Sequence, residues 1–171
     1  MNNSKQEKFL SLYEPVHERF ERFCRARVFG QRDYRDLMND TLVIAYRKFS
    51  ELKSEEAFLS FLFGICVRVL SNYSKKKRTT EYIDDHDLAN VPSENKTDSD
   101  IEIYFLHKAL SKLPDEQKES LILFEISGFS IKEIAELHQV SVSAVKQRLV
   151  RGRKKLAQRL TNTSVSKNKM A

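Results

Sequence analysis

Ser143 and Lys146 stand at the S-x-x-K spacing at which a lysine activates a serine nucleophile for acyl transfer, so they are the first residues to weigh as chemistry in this chain. The companion motifs of that chemistry are missing, as are a Walker loop, a GxGxxG turn and a carboxylate and histidine set at catalytic spacing. Cys24 and Cys66 stand alone, without a CxxC pair or a histidine at metal-ligand spacing, and read as reduced, buried thiols. No enzyme activity, catalytic residue, cofactor or metal is therefore expected. What remains is charge. From Ser141 to Ala171 there are nine basic residues and no acidic one, the footprint of a segment that contacts phosphates.

The elements around Ser143 and Lys146 then have to present cations on one face. A first helix carries Ile103, Leu106 and Leu110 to Leu113, with Asp100 as its cap. Pro114, followed by Asp115 and Glu116, opens a second, which Gly128 closes. Ser130-Ile131-Lys132-Glu133 is a capping box that starts a third, and Ser141 caps a fourth. Ala135 and Val145 are ten apart, the spacing at which a helix-turn-helix sets a small residue on its first helix against an apolar one on its second. Val142, Val145, Leu149, Gly152, Leu156 and Leu160 form one stripe on the last helix, leaving Ser143, Ala144, Gln147, Arg151 and Lys154 opposite, flanked by Lys146 and Arg148. Ser143, Ala144, Lys146 and Gln147 are expected near base edges in a major groove, and Arg148, Arg151, Arg153, Lys154 and Lys155 on phosphates. Charge alone would also suit a solvated basic helix. The capping box, the ten-residue spacing and the one-sided charge have independent causes and together favour DNA.

Composition extends the helical reading to the whole chain, since 4 Gly and 3 Pro leave few turns for a many-stranded sheet. Charge divides it: residues 1–78 carry 16 basic and 10 acidic side chains, 79–104 carry 1 and 8, and 105–171 carry 13 and 6, so two basic blocks flank an acidic one. The fold class predicted is all-α, with two small helical domains at residues 1–78 and 101–161. A flexible acidic linker joins them at 79–100, and a polar tail at 162–171 is expected to be disordered. The linker reads equally as a solvated spacer or as a negative strand that occupies a basic nucleic-acid channel. In the first domain Pro15 interrupts the apolar period, a helix from Pro15 to Phe29 ends at Gly30, and a second from Asp33 to Phe49 buries Leu37, Thr41, Leu42, Ile44, Ala45 and Phe49. Ser54 reads as the N-cap of a third helix, which carries Phe58, Leu59, Phe61, Leu62, Ile65, Val69 and Leu70 and ends in Lys75, Lys76, Lys77 and Arg78. The longest apolar run, Ala57 to Val67, falls short of the roughly 18 to 20 residues of a membrane span, and the start MNNSKQEK lacks a signal-peptide core. A cytoplasmic protein without membrane insertion is expected.

The segment ALSKLPDEQKESLILFEISGFSIKEIAELHQVSVSAVKQRLVRGRKKLAQRL, Ala109 to Leu160, resembles region four of bacterial sigma factors, which binds the promoter element near position −35. RDYRDLMNDTLVIAYRKF, Arg32 to Phe49, resembles the region two pattern of the type DLVQEVFLRAWRKF, and AFLSFLFGICVRVLSNYSKKKR, Ala57 to Arg78, resembles the helix that follows it. Regions two and four joined by a short linker resemble the extracytoplasmic-function group of sigma factors. The resemblance implies that Asp36, Asn39 and Asp40 face the clamp helices of the polymerase β′ subunit. It implies that the helix from Phe58 to Arg78 meets and helps melt the −10 element, through Phe61, Arg68, Asn72, Tyr73, Lys75, Lys76, Lys77 and Arg78. It also implies that region four docks on the β flap, and that an anti-sigma factor covers both domains.

Aromatic and basic residues interleave along that helix, which suits unpaired bases and their backbone, although core packing competes for the phenylalanines and claims Phe58, Leu62 and Ile65. Three departures stand out. Relatives carry tryptophan, asparagine and aspartate where this chain has Phe61, Arg68 and Asn72; Gln-Glu becomes Asn39-Asp40; and His138 and Gln139 replace the usual leucine and turn glycine, so Gln139 has to turn left-handed. The rival reading is a stand-alone helix-turn-helix transcription regulator that binds DNA without polymerase.

Overall fold

Pro15 cannot donate a backbone hydrogen bond, and in the computed structural model, which describes residues 2–79 and 97–168, it deflects the first helix without ending it. Helix α1 (Asn2–Tyr13) runs into a 3-10 turn at Glu14–Val16 and resumes as α2 (His17–Arg27). Gly30, at φ +71°, then turns the chain. Asp33 takes the N-cap of α3 (Tyr34–Arg47), its carboxylate accepting from the Arg35 amide at 2.8 Å. Ser54 makes no side-chain cap bond. It precedes a 3-10 turn at Glu55–Ala57, closed by the Ala57 amide on the Ser54 carbonyl at 3.2 Å, and α4 (Phe58–Thr79) follows.

The span from Glu55 to Tyr73 is long and apolar enough, by length and composition, to cross a membrane. Its apolar residues have another use: Phe58, Leu62, Phe63, Ile65, Cys66, Val69 and Leu70 are buried in the protein core. Phe58, Leu62 and Ile65 are thus core residues, as the sequence indicates. Cys24 and Cys66 are buried there as free thiols, and burial pushes the Cys24 thiol well up.

In the second half α5 (Asp98–Ser111) is capped by Thr97. Its hydroxyl accepts from the Asp100 amide at 3.3 Å, and the Asp100 carboxylate accepts from the Thr97 amide at 3.1 Å. Asp100 is therefore the third helical residue and not the cap, and the helix begins inside the segment assigned to the linker; residues 80–96 of that segment lie outside the described residues. Pro114 sits just before α6 (Asp115–Leu121), which widens into a π-helical turn at Ile122–Ile126 and ends at Gly128, φ +69°. Then come α7 (Ile131–His138) and α8 (Val142–Asn168). Nothing in the sequence after Gly152 breaks a helix, so α8 runs on through the first residues of the stretch assigned to the polar tail.

The apolar core is continuous from one half to the other. Phe63 on α4 meets Phe129 with ring centroids 4.8 Å apart. Arg19 on α2 donates through Nε to the Ser127 carbonyl and lays its guanidinium over the Phe129 ring at 5.0 Å. Gly64 faces Leu137, whose Cδ2 is 3.7 Å from where a Cβ on the glycine would lie.

Candidate nucleic-acid and polymerase interfaces

The presenting surface on α8 is created by how tightly its other face is held. Ser130 and Glu133 close their capping box in both directions: the Glu133 amide donates to the Ser130 hydroxyl at 3.3 Å and the Ser130 amide to the Glu133 carboxylate at 2.7 Å. Gln139 ends α7 in the left-handed region, φ 54° and ψ 46°, and the Ser141 hydroxyl then accepts from the Ala144 amide at 3.1 Å to start α8. Ala135, Val145 and Leu149 are buried. A Cβ on Gly152 would lie 2.9 Å from Leu121 Cδ1, so α8 reaches α6 at glycine distance.

Opposite that seam Ser143, Lys146, Gln147, Arg151, Lys154 and Lys155 are exposed, and Ala144 is half-buried at the edge of the face. Two of the cations assigned to phosphates are engaged within the protein. Arg148 contacts the Glu116 carboxylate at 3.2 Å and donates to His138 Nδ1 at 3.2 Å, with its side chain 19% exposed. Arg153 pairs with Glu125 at 2.7 Å and lies over the Phe124 ring. The sequence reading also placed Val142 in the buried stripe, where it is 38% exposed, and passed over Val150, which at 65% is the most open of the large apolar residues described. Val150 follows Lys146 by four residues and Gln147 by three, a helical spacing that puts it on the same exposed face.

On α4, Phe61 is half-buried with its ring 6.4 Å from that of Phe58, while Arg68, Asn72 and Tyr73 are exposed. Lys75, Lys76, Lys77 and Arg78 continue the helix, and their side chains lie outside the described residues. On α3, Asp36 and Asn39 are exposed. Asp40 is engaged: Tyr73 donates to its Oδ2 at 2.5 Å and Arg32 Nη2 to the same oxygen at 3.2 Å. The Tyr73 hydrogen bond, with the Arg32 bond and charge behind it, holds the Asp40 carboxyl below the usual carboxylate range. Val43, one turn further on and 50% exposed, continues this face.

Where α2, α6 and α7 meet lies a buried charge cluster with no signature in the sequence. Arg27 of α2, 4% exposed, donates through Nε to Glu119 Oε2 of α6 at 2.8 Å, and His138 Nε2 of α7 lies 2.8 Å from the other carboxylate oxygen. Arginine only donates, so the Arg148 contact assigns the acceptor role to Nδ1 of His138 and leaves the N–H on Nε2. Burial pushes the Glu119 carboxyl up, but the His138 hydrogen bond and the Arg27 charge outweigh it and hold the group below the usual range. Lys118 and Asp115, 2.9 Å apart, complete the cluster. No group of His, Cys, Asp and Glu side chains among the described residues is arranged to hold a metal ion.

Residues 106–156 match the family model described as Sigma-70, region 4. The chain is 31% identical over 123 residues to the ECF RNA polymerase sigma factor EcfG of Rhodopseudomonas palustris, covering 71% of this chain and 68% of the relative. It is 26% identical over 153 residues to the RNA polymerase sigma factor SigZ of Bacillus subtilis, covering 87% and 85%. Among solved structures, the sigma factor RpoE of Bartonella quintana, determined with the anti-sigma factor NepR, superposes with a TM-score of 0.72 at 25% identity, over 94% of this chain and 98% of that one. CnrH, solved with the cytosolic domain of CnrY, shares the fold with a TM-score of 0.67 at 24% identity, over 92% and 90%.

Proposed function

We propose how this chain, which belongs to the extracytoplasmic-function family of RNA polymerase sigma factors, selects a promoter: α3 engages core polymerase while α4 and α8 engage the −10 and −35 elements. It is a polymerase-binding specificity factor, and the stand-alone regulator is not favoured. The observation that carries the residue-level reading is the one-sided surface of α8, basic and exposed opposite a buried seam, behind a fully capped turn. Ser143, Ala144, Lys146 and Gln147, with Val150 able to meet a thymine methyl, read base edges. Arg151, Lys154 and Lys155 hold phosphates, joined by Arg148 and Arg153 when DNA phosphates compete for them. Asp36, Asn39 and Asp40 meet the β′ clamp helices, region four meets the β flap, and Phe61, Arg68, Asn72, Tyr73 and the Lys75 to Arg78 run meet the −10 strand.

The domains act as residues 1–78, linker 79–100, 101–161 and tail 162–171, in the cytoplasm, with no catalysis of their own. About 25 base pairs separate −10 from −35, roughly 85 Å at ~3.4 Å per pair. A folded body of this length is only about 40 Å across. Contact with both elements together therefore requires the seam around Phe63 and Phe129 to part. The Bartonella quintana relative was solved with an anti-sigma factor and matches across both halves, which supports an anti-sigma partner for this chain as well.

Run-off transcription from genomic fragments with core polymerase tests the proposal. Added chain should produce specific starts, and Asp36→Ala should lower core affinity while leaving the fold intact. Tight promoter binding that is indifferent to polymerase would refute it.

A further inference from the structure

Asp40 and Tyr73 belong to different elements and, on the reading above, to different partners, yet in this structure each occupies the other. Resting on that reading of α3 and α4, we propose that Arg32, Asp40 and Tyr73 form a relay in which polymerase capture of Asp40 releases Tyr73 to the unpaired −10 strand. Arg32 and Tyr73 are then positioning residues whose availability depends on what holds Asp40.

Both donors, the Tyr73 hydroxyl at 2.5 Å and Arg32 Nη2 at 3.2 Å, converge on one oxygen of Asp40. The Asp40 side chain is 44% exposed, so an approaching ammonium or guanidinium of polymerase can reach it and compete for its lone pairs. The Arg32 guanidinium lies over the Tyr73 ring at 4.2 Å, so one face of the ring is covered while the hydroxyl is tied. Arg32 is itself incompletely satisfied: Nη1 is buried with no hydrogen-bond partner among the described residues, a cost that favours rearrangement once its partner is taken. Room exists for the movement, since a cavity of about 420 Å³ lined by Val43, Ile44, Val69 and Asn72 opens beside the ring. A second cation at Asp40 repels Arg32 and displaces the hydroxyl. That step frees an aromatic ring and a cation together, the pair that grips single-stranded DNA.

The experiment compares affinity for the labelled non-template −10 strand of a promoter the wild-type chain transcribes, with and without core polymerase. Transcription by the wild type is the separate arm that tests the sigma-factor reading; a chain that directs no transcription overturns both. Tyr73→Phe keeps the ring and removes the tether, so strand binding without polymerase should rise about tenfold, the weight of one charge-assisted hydrogen bond. The gain conferred by polymerase should shrink by the same factor. Asp40→Ala should raise polymerase-free strand binding similarly, and clearly more than Asp36→Ala, which makes the same change of charge on the same face. An unchanged polymerase-dependent gain in Tyr73→Phe overturns the relay. So does a loss of strand affinity that is equal with and without polymerase, or an Asp40→Ala effect no larger than that of Asp36→Ala.

Discussion

Replacing Arg27 by methionine keeps most of the side-chain volume and removes the cation from the buried pair that joins α2 to α6. The partner left behind, Glu119, has its side chain 10% exposed. Breaking a buried pair from one side costs about 3–5 kcal/mol, against about 5–15 kcal/mol for the total stability of a typical domain. Because the pair bridges the two halves, the cost falls on their docking, and it shifts the ratio of docked to parted molecules by roughly two to three and a half orders of magnitude. Small-angle X-ray scattering suits the measurement, since it needs no label and both cysteines are buried. Arg27→Met should show a radius of gyration above the roughly 15 Å of a single folded body of this length. Adding Glu119→Met removes the stranded carboxylate and leaves only the Nε2 edge of His138 without its partner, so the double variant should return toward the docked radius, because apolar replacement of a buried pair is often neutral or stabilising. If Arg27→Met keeps both the docked radius and the wild-type denaturation midpoint, the pair does not hold the halves together. If the double variant is as expanded as the single one, the cost does not come from the unpaired charge.

Acidification should act on the same seam. The Glu119 carboxyl is held below its ordinary value, so the stability it contributes is present above about pH 4.3 and is lost as pH falls through the lowered value, which scattering at decreasing pH would follow. Burial, with the Arg25 charge, lowers His107, which packs on Phe29 with centroids 5.6 Å apart. Its contribution is therefore full above about pH 6.5 and declines toward the lowered value, and His107→Phe should remove that part of the difference between denaturation midpoints at pH 7 and pH 5. Gln139→Gly should stabilise by about 1 kcal/mol by relieving the left-handed turn, whereas Gly152→Ala should destabilise by about 1–3 kcal/mol through the approach of Leu121; urea titration checks both. Lys146→Ala and Gln147→Ala should change upstream-element preference in selection from random duplexes. Lys154→Ala should instead weaken all sequences alike and flatten the salt dependence by about one unit of slope.

Sequence alone determined what is local. The capping box at Ser130, the Ser141 cap, the turns at Gly30 and Gly128 and the left-handed Gln139 follow from which side chains can satisfy or relieve the backbone within a few residues, and each is found where the spacing put it. Apolar periodicity likewise identified most of the buried faces of α4 and α8; it missed Phe63 and Cys66, which are fully buried, and erred at Val142, because at a helix end the stripe outruns the neighbour that would cover it. Cap choice was less legible: Thr97 and Asp100 are both capable residues three apart, and only the helix start decides which accepts from which. What the tertiary structure decided is every pairing between distant residues. Glu119 with Arg27 and His138, Tyr73 with Asp40, and Phe63 with Phe129 join positions between 19 and 92 residues apart. The physical reason is that a charged or aromatic side chain read in sequence shows what it can bind, while its actual partner is fixed by which helices pack together and which groups that packing takes out of water.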